Sequence, residues 1–293
     1  MKFRQLGLIG CGLMGGSFAL ALKRAGLVEH IVGYSASERT RARALELGVI
    51  DQAAVSVTQA VQGADLILLA VPVSATTTTL QAIAPVLAHD ALLMDVGSTK
   101  SDVVASARAT LGQRLSCFVP AHPIAGKEVA GIEHAEADLY TQRQVILTPL
   151  ESTGTRQLAQ AHALWQALDC QVHQLSPDEH DAAFAAVSHL PHLLAFAYVN
   201  SVAGQPRGAG HLALAGPGFR DFSRIAASDP AIWRDILLAN RAEVLAQSRH
   251  FRQALDQLET VIKQGDDAAL QSLITQSSQT RSRWRLGGVD TDQ

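Results

Sequence analysis

The chain has 293 residues, 47% of them apolar and 17% charged, with a formal net charge of −3. This composition excludes a disordered chain, and the acidic balance argues against nucleic acid as the principal partner, because neutralising phosphates takes a basic surface. The length allows two domains.

Short apolar runs at 6–9, 31–34, 66–71, 92–96 and 117–119 alternate with helical patterns through the first half. Continuous apolar strands separated by amphipathic helices predict a parallel sheet covered on both faces, the doubly wound α/β arrangement of a Rossmann-type fold. The polar run at 76–79 reads as the first turn of a helix. Two further strands are expected at 145–147 and 171–175, flanking a helix over 155–168. Beyond 177 the texture changes. Residues 178–203, 230–248 and 251–264 have helical periodicity without strands, and 204–210 is rich in breakers. A boundary near 176–177 is expected, dividing an α/β domain (1–176) from an all-helical one (177–293).

Cys11, Cys117 and Cys170 are too widely spaced for a disulfide framework or a zinc site and read as free thiols in a reducing cytoplasm. No metal is expected. No apolar run reaches the ~18–20 residues of a membrane span, and glycine interrupts the N-terminal run at Gly10, so neither a membrane anchor nor a signal peptide is expected.

Gly10-Cys11-Gly12-Leu13-Met14-Gly15 follows the first apolar strand and opens a helix rich in Ala and Leu. That context turns a GxGxxG from a weak pattern into a dinucleotide site. The first glycine permits the tight turn, the second lets the backbone approach the pyrophosphate, and the third lets helix pack on strand. Gly10, Gly12, Leu13, Met14 and Gly15 are the candidate phosphate contacts. An NAD site usually carries an acidic residue at the end of the second strand, where this chain has Ser35, followed by Ser37, Glu38, Arg39 and Arg41. Hydroxyls at Ser35 and Ser37 with the guanidinium of Arg39 suit a 2′-phosphate, which favours NADP or dual use; Glu38 reaching the ribose leaves NAD open. Val71-Pro72 at the end of the third strand are expected along the nicotinamide half.

Three clusters offer reacting groups: Asp95-Val96-Gly97-Ser98-Thr99-Lys100, the stretch from Ala121 to Glu128, and Ser188-His189-Leu190-Pro191-His192. The first two follow strands, at the carboxyl edge where open α/β sheets bind ligands. His122, fixed by the following proline, is placed to take a proton from an alcohol as hydride leaves the same carbon. His189 and His192 fall on a helix kinked by Pro191. Arg220 and Arg224, four residues apart, would share a helix face and suit a carboxylate.

The glycine turn, Asp95–Lys100, His122-Pro123-Ile124-Ala125-Gly126, Ser188–His192 and Gly218-Phe219-Arg220-Asp221-Phe222-Ser223-Arg224 come in an order that closely resembles the prephenate/arogenate dehydrogenase family of tyrosine biosynthesis, over nearly the whole chain. The resemblance implies oxidative decarboxylation of a cyclohexadienol, prephenate or arogenate, with hydride transfer to NAD(P)+. It implies that His122 polarises the C4 hydroxyl, that Ser98 orients it, and that His189 supports the pocket. Arg224, and less so Arg220, would hold a carboxylate, and the helical domain would build a homodimer. Lys127 stands where many relatives carry a small hydroxyl residue. It either adds positive charge near the substrate side chain, favouring prephenate, or turns to Glu128 or solvent. A β-hydroxyacid dehydrogenase is the rival enzyme, but it would need a catalytic lysine in the second domain, and Lys263 is the sole lysine after Lys127. A cofactor-sensing module without catalysis is the non-enzymatic rival.

Overall fold

The computed structural model describes residues 1–127 and 129–285. The first unit, Met1–Asn240, opens with β1 (Phe3–Ile9), α1 (Leu13–Arg24), β2 (Val28–Tyr34), α2 (Glu38–Glu46), β3 (Gln52–Ala53), α3 (Val57–Val61), β4 (Leu66–Leu69), α4 (Thr76–Ile83), β5 (Leu92–Asp95), α5 (Ser101–Thr110) and β6 (Phe118–Val119). The six strands form one sheet in the order β3-β2-β1-β4-β5-β6, all neighbours parallel. All five expected strands are present; β3, two residues long, is an addition too short to leave a pattern.

Strand alternation builds a core on each face. Leu6, Leu8, Leu66, Leu68, Leu92 and Met94 join Phe18, Leu22 and Trp165 in one cluster. Ile67, Leu69 and Leu93 turn the other way, onto Leu80, Ile83, Val103 and Ala107. Burial on both sides explains why these strands read as unbroken apolar runs. Ile9 pairs with Leu69, and Leu69 with Asp95. That register brings the turns after β1, β4 and β5 out side by side at the sheet's carboxyl edge.

The next strands leave this sheet. β7 (Ala121–Pro123), β8 (Gln144–Leu147) and β9 (Gln171–Gln174) form a separate three-stranded sheet, β7 antiparallel to β8 and β8 parallel to β9, with α6 (Thr155–Ala167) between β8 and β9. His122 thus lies within a strand, opposite Ile146, rather than in the loop its flanking Pro and Gly suggested. Phe18, Tyr140 and Trp165 interlock, with ring centroids 5.1–6.4 Å apart. The Tyr140 hydroxyl donates to the Met14 carbonyl at 2.7 Å, tying the segment before β8 to the dinucleotide helix.

From Ser176 on, the unit is helical. α7 (Pro177–Phe184) begins with a capping box in which Ser176 and Glu179 satisfy each other's backbone N–H groups. It runs through a π-turn (Ala185–His189) into α8 (Leu190–Ala203). α9 (Gly208–Ala213), α10 (Pro217–Ser223), a 3-10 turn (Arg224–Ala227) and α11 (Pro230–Ala239) follow. Two expectations change here. The breaker-rich 204–210 ends inside α9, and the helix expected over 230–248 stops at Asn240, where the backbone leaves helical geometry. Pro177–Ala203 has the length and mean hydropathy of a membrane span, although polar residues interrupt its apolar runs. Its buried His180, Asp181 and His189 are polar.

The second unit begins at Arg241. Its described residues form α12 (Arg241–Gln264) and α13 (Asp267–Arg283), the latter not anticipated. Gly265, at φ +66°, makes the reversal between them, and Asp266 caps α13 by accepting the Ala269 N–H.

Candidate active site

Between the glycine turn and the ends of β2 and β4 lies a cavity of about 700 Å³, lined among others by Gly10, Gly12, Ser35, Arg39, Val71 and Pro72. It occupies the point where the strand order reverses, between β1 and β4. Gly10 has φ +104°, and a Cβ there would come within 2.1 Å of the Ala70 carbonyl oxygen; one on Gly15 would lie 2.0 Å from the Gly10 carbonyl oxygen. Gly12 differs. A Cβ on it would meet no atom within 4 Å, so the protein itself does not demand glycine there. As N-cap of α1 it offers no side chain to the first-turn N–H groups. Open space beside uncapped donors fits a pyrophosphate, and the residues present fit NAD(P).

Other predicted contacts have structural duties. Leu13, Met14 and Gly15 fall outside the lining: Leu13 is buried in the core, and Met14 gives its carbonyl to Tyr140. Ser37 caps α2 by accepting the Thr40 N–H at 3.2 Å and also lies outside the lining. Arg41 donates to the Ser35 carbonyl at 2.5 Å and covers the Tyr34 ring. Thr40, Arg43 and Glu133 line the cavity, and sequence reasoning named none of them.

A second constellation begins at β5. Asp95 accepts the Ala121 N–H at 3.0 Å and the Gly97 N–H at 2.9 Å. The ammonium of Lys100, fully buried, pairs with Asp95 and donates to the Ala121 carbonyl at 2.9 Å. This staple joins the end of β5 to the start of β7 and so places His122. Removing one partner would leave a buried charge uncompensated, at a cost of about 3–5 kcal/mol.

His122 Nδ1 lies 2.8 Å from His180 Nε2, and His180 Nδ1 lies 2.8 Å from Asp181 Oδ1. Asp181 also accepts the Lys100 and Ser101 N–H groups, each at 2.8 Å. Burial pushes its carboxyl pKa up, but hydrogen bonds from His180, Ser101 and Lys100 outweigh that and hold it below the usual value. A carboxylate at the end of the chain assigns the tautomers. His180 donates through Nδ1 and accepts at Nε2; His122 therefore donates through Nδ1, and Nε2 is its acceptor. Burial lowers the His122 pKa well below its ordinary value, and the nearby charges of His180 and Lys100 act in the same direction. His122 is thus a neutral imidazole at pH 7 with its basic nitrogen preset. Phe184 packs against both rings.

The π-turn carries His189 into the same neighbourhood. Asn240, the residue that ends α11, donates to the Asp181 carbonyl at 2.7 Å and lies 3.1 Å from His189 Nδ1. Burial brings the His189 pKa down to about 4; Asp181 and the Ser98 backbone oppose that more weakly. With Nδ1 accepting from Asn240, the proton resides on Nε2, a buried atom. His192 stacks on Trp233 at 3.4 Å, and Arg224 is close enough to disfavour charge on its ring, after the larger effect of burial. Arg220 pairs instead with Asp221 at 2.9 Å on the exposed surface. Lys127 pairs with Glu136 at 2.8 Å, and Glu128 lies outside the described residues.

A Rossmann sheet with an NAD(P)-fitting cavity, and neutral buried histidines at its carboxyl edge, define a dinucleotide-dependent dehydrogenase. The chain belongs to the prephenate dehydrogenase family: residues 18–174 match the family's nucleotide-binding domain and 176–276 its dimerization domain. It is 35% identical to cyclohexadienyl dehydrogenase of Zymomonas mobilis over 95% of each chain. It is 36% identical to prephenate dehydrogenase of Bacillus subtilis over 88% of this chain and 70% of that one. Prephenate dehydrogenase from Aquifex aeolicus, solved with hydroxyphenyl propionate and NAD+, superposes with a TM-score of 0.90 at 34% identity, covering 96% of this chain and 98% of that one.

Proposed function

We infer that the protein catalyses oxidative decarboxylation of prephenate, arogenate or both, forming 4-hydroxyphenylpyruvate or tyrosine in tyrosine biosynthesis. The observation that carries the chemistry is the His122–His180–Asp181 chain, which leaves a neutral base with its Nε2 lone pair available. A nicotinamide cofactor held by Gly10, Gly12, Val71 and Pro72 would supply the hydride acceptor for C4 of the ring. His122 Nε2 takes the C4 hydroxyl proton, and the positive charge that develops is steadied through His180 by Asp181. The C1 carboxylate departs as carbon dioxide, its bonding pair enters the ring, and the product is aromatic. Ser98 orients the hydroxyl, and His189 supports the pocket.

Arg224 holds a carboxylate of the substrate. If it holds the departing one, its grip must not tighten the ground state over the transition state. Ser35 and Arg39 in the cavity lining support NADP or dual cofactor use. On this reading residues 1–176 hold the cofactor and also contribute His122 and Ser98, while Arg224 and His189 come from residues 177–293. A homodimer is supported by the family's dimerization domain and by exposed apolar side chains at Tyr198, Leu214, Phe222 and Leu238. The test is a kinetic grid of prephenate and arogenate, each with NAD+ and NADP+. Cofactor reduction with at least one substrate is expected; none in any combination would overturn the assignment.

A further inference from the structure

Ser35 leaves the end of β2 without the carboxylate that usually selects NAD, yet the cavity does contain one. Glu133 arrives from a segment nearly a hundred residues later and lines the same space as Ser35, Arg39 and Arg43. Its Oε1 lies 3.7 Å from Arg43 Nε, while Arg43 Nη1 also bonds Glu46 at 3.0 Å.

The segment bearing Glu133 is held in place. A Cβ on Gly16 of α1 would meet Ile132 at 2.5 Å and Ala135 at 2.9 Å, so only glycine at that position lets the segment pack so closely. The Glu136 N–H donates to the Ser17 hydroxyl at 3.0 Å, and Arg24 bonds the Ala137 carbonyl at 3.0 Å and pairs with Asp138. The backbone that carries Glu133 is therefore anchored beside α1, and its half-exposed carboxylate lies on a wall of the cavity, opposed to any phosphate entering near Arg43.

We propose that Glu133 is the acidic determinant of cofactor choice in this chain, replacing from a distant segment the carboxylate absent at Ser35. It occupies Arg43 and repels a 2′-phosphate, which keeps NAD usable in a cavity whose arginines otherwise suit NADP. The proposal rests on reading the cavity as the dinucleotide site.

Binding of NADH and NADPH to the intact protein, followed by nicotinamide fluorescence without substrate, tests it. In Glu133→Gln, NADPH is expected to bind about tenfold tighter while NADH changes little or weakens, a difference near one decade in the ratio of dissociation constants. Adding Arg43→Ala to that variant should remove most of the gain. The gain should also shrink at high salt, because the groups are partly exposed. A ratio that does not move in Glu133→Gln, or equal weakening of both cofactors, overturns the proposal and leaves the dehydrogenase reading standing. Failure of the unaltered protein to bind either cofactor overturns both.

Discussion

The cofactor cavity and the histidine chain are built on opposite plans. The cavity is walled by short runs at the turns after successive strands, 9–12, 34–43 and 70–79, joined by 131–133, and its charged groups remain partly exposed. The histidine chain draws single residues from β5, β7, α7, the π-turn and the end of α11, and its groups are largely buried. Selectivity is adjustable where charges face solvent. A protonation state is fixed where they do not, because burial penalises the charged form of each imidazole.

The largest effect is expected at the buried end. His122→Asn removes the base and should lower turnover by ~10²–10⁴-fold while cofactor binding stays nearly unchanged. Steady-state kinetics beside a cofactor titration measures both; near-normal turnover would take His122 out of the mechanism. Asp181→Asn should follow, with turnover falling about 10–10²-fold, since an amide no longer dictates the His180 tautomer and His122 loses its preset proton. A purely structural role for Asp181 would show as lost stability with an unaltered pH profile. Arg224→Ala belongs to the more open part of the site. It should raise the substrate KM about tenfold with little change in kcat, as expected for a charge-assisted contact made equally in ground and transition states. An unchanged KM would remove the carboxylate assignment.

What the sequence made legible divides along the same line. The five core strands and the glycine turn are contiguous, and hydrophobic period plus turn chemistry suffice to read them. His122, Ser98 and His189 are visible because each belongs to a recognisable local cluster. His180 and Asp181 are not, because a helix-opening Pro-Asp-Glu-His-Asp stretch reads as an ordinary polar first turn, and only the fold brings it 2.8 Å from His122 and the N-terminus of α5. Asn240 was hidden inside a helical period that it in fact interrupts. In the sequence Lys100 is only the last residue of the Asp95–Lys100 cluster, and nothing local tells that the Asp95 pair buries it completely. Lys127 was read with two open options, and its pairing with Glu136 adds a third that no local pattern contains. Each of these depends on residues distant in sequence meeting in space.

The claim that His122 is held neutral and preset by its neighbours is tested most directly by the pH dependence of kcat/KM. Burial, then His180 and Lys100, depress the His122 pKa, so the basic form persists below the ordinary histidine range near 6.5 and is lost only as pH falls through the lowered value. A profile level from pH 8 down past 6.5, with its fall below that point and displaced further downward in Asp181→Asn, which loses the carboxylate that steadies the imidazolium, is the predicted result. A fall in kcat/KM centred at or above 6.5 in the unaltered protein would contradict it.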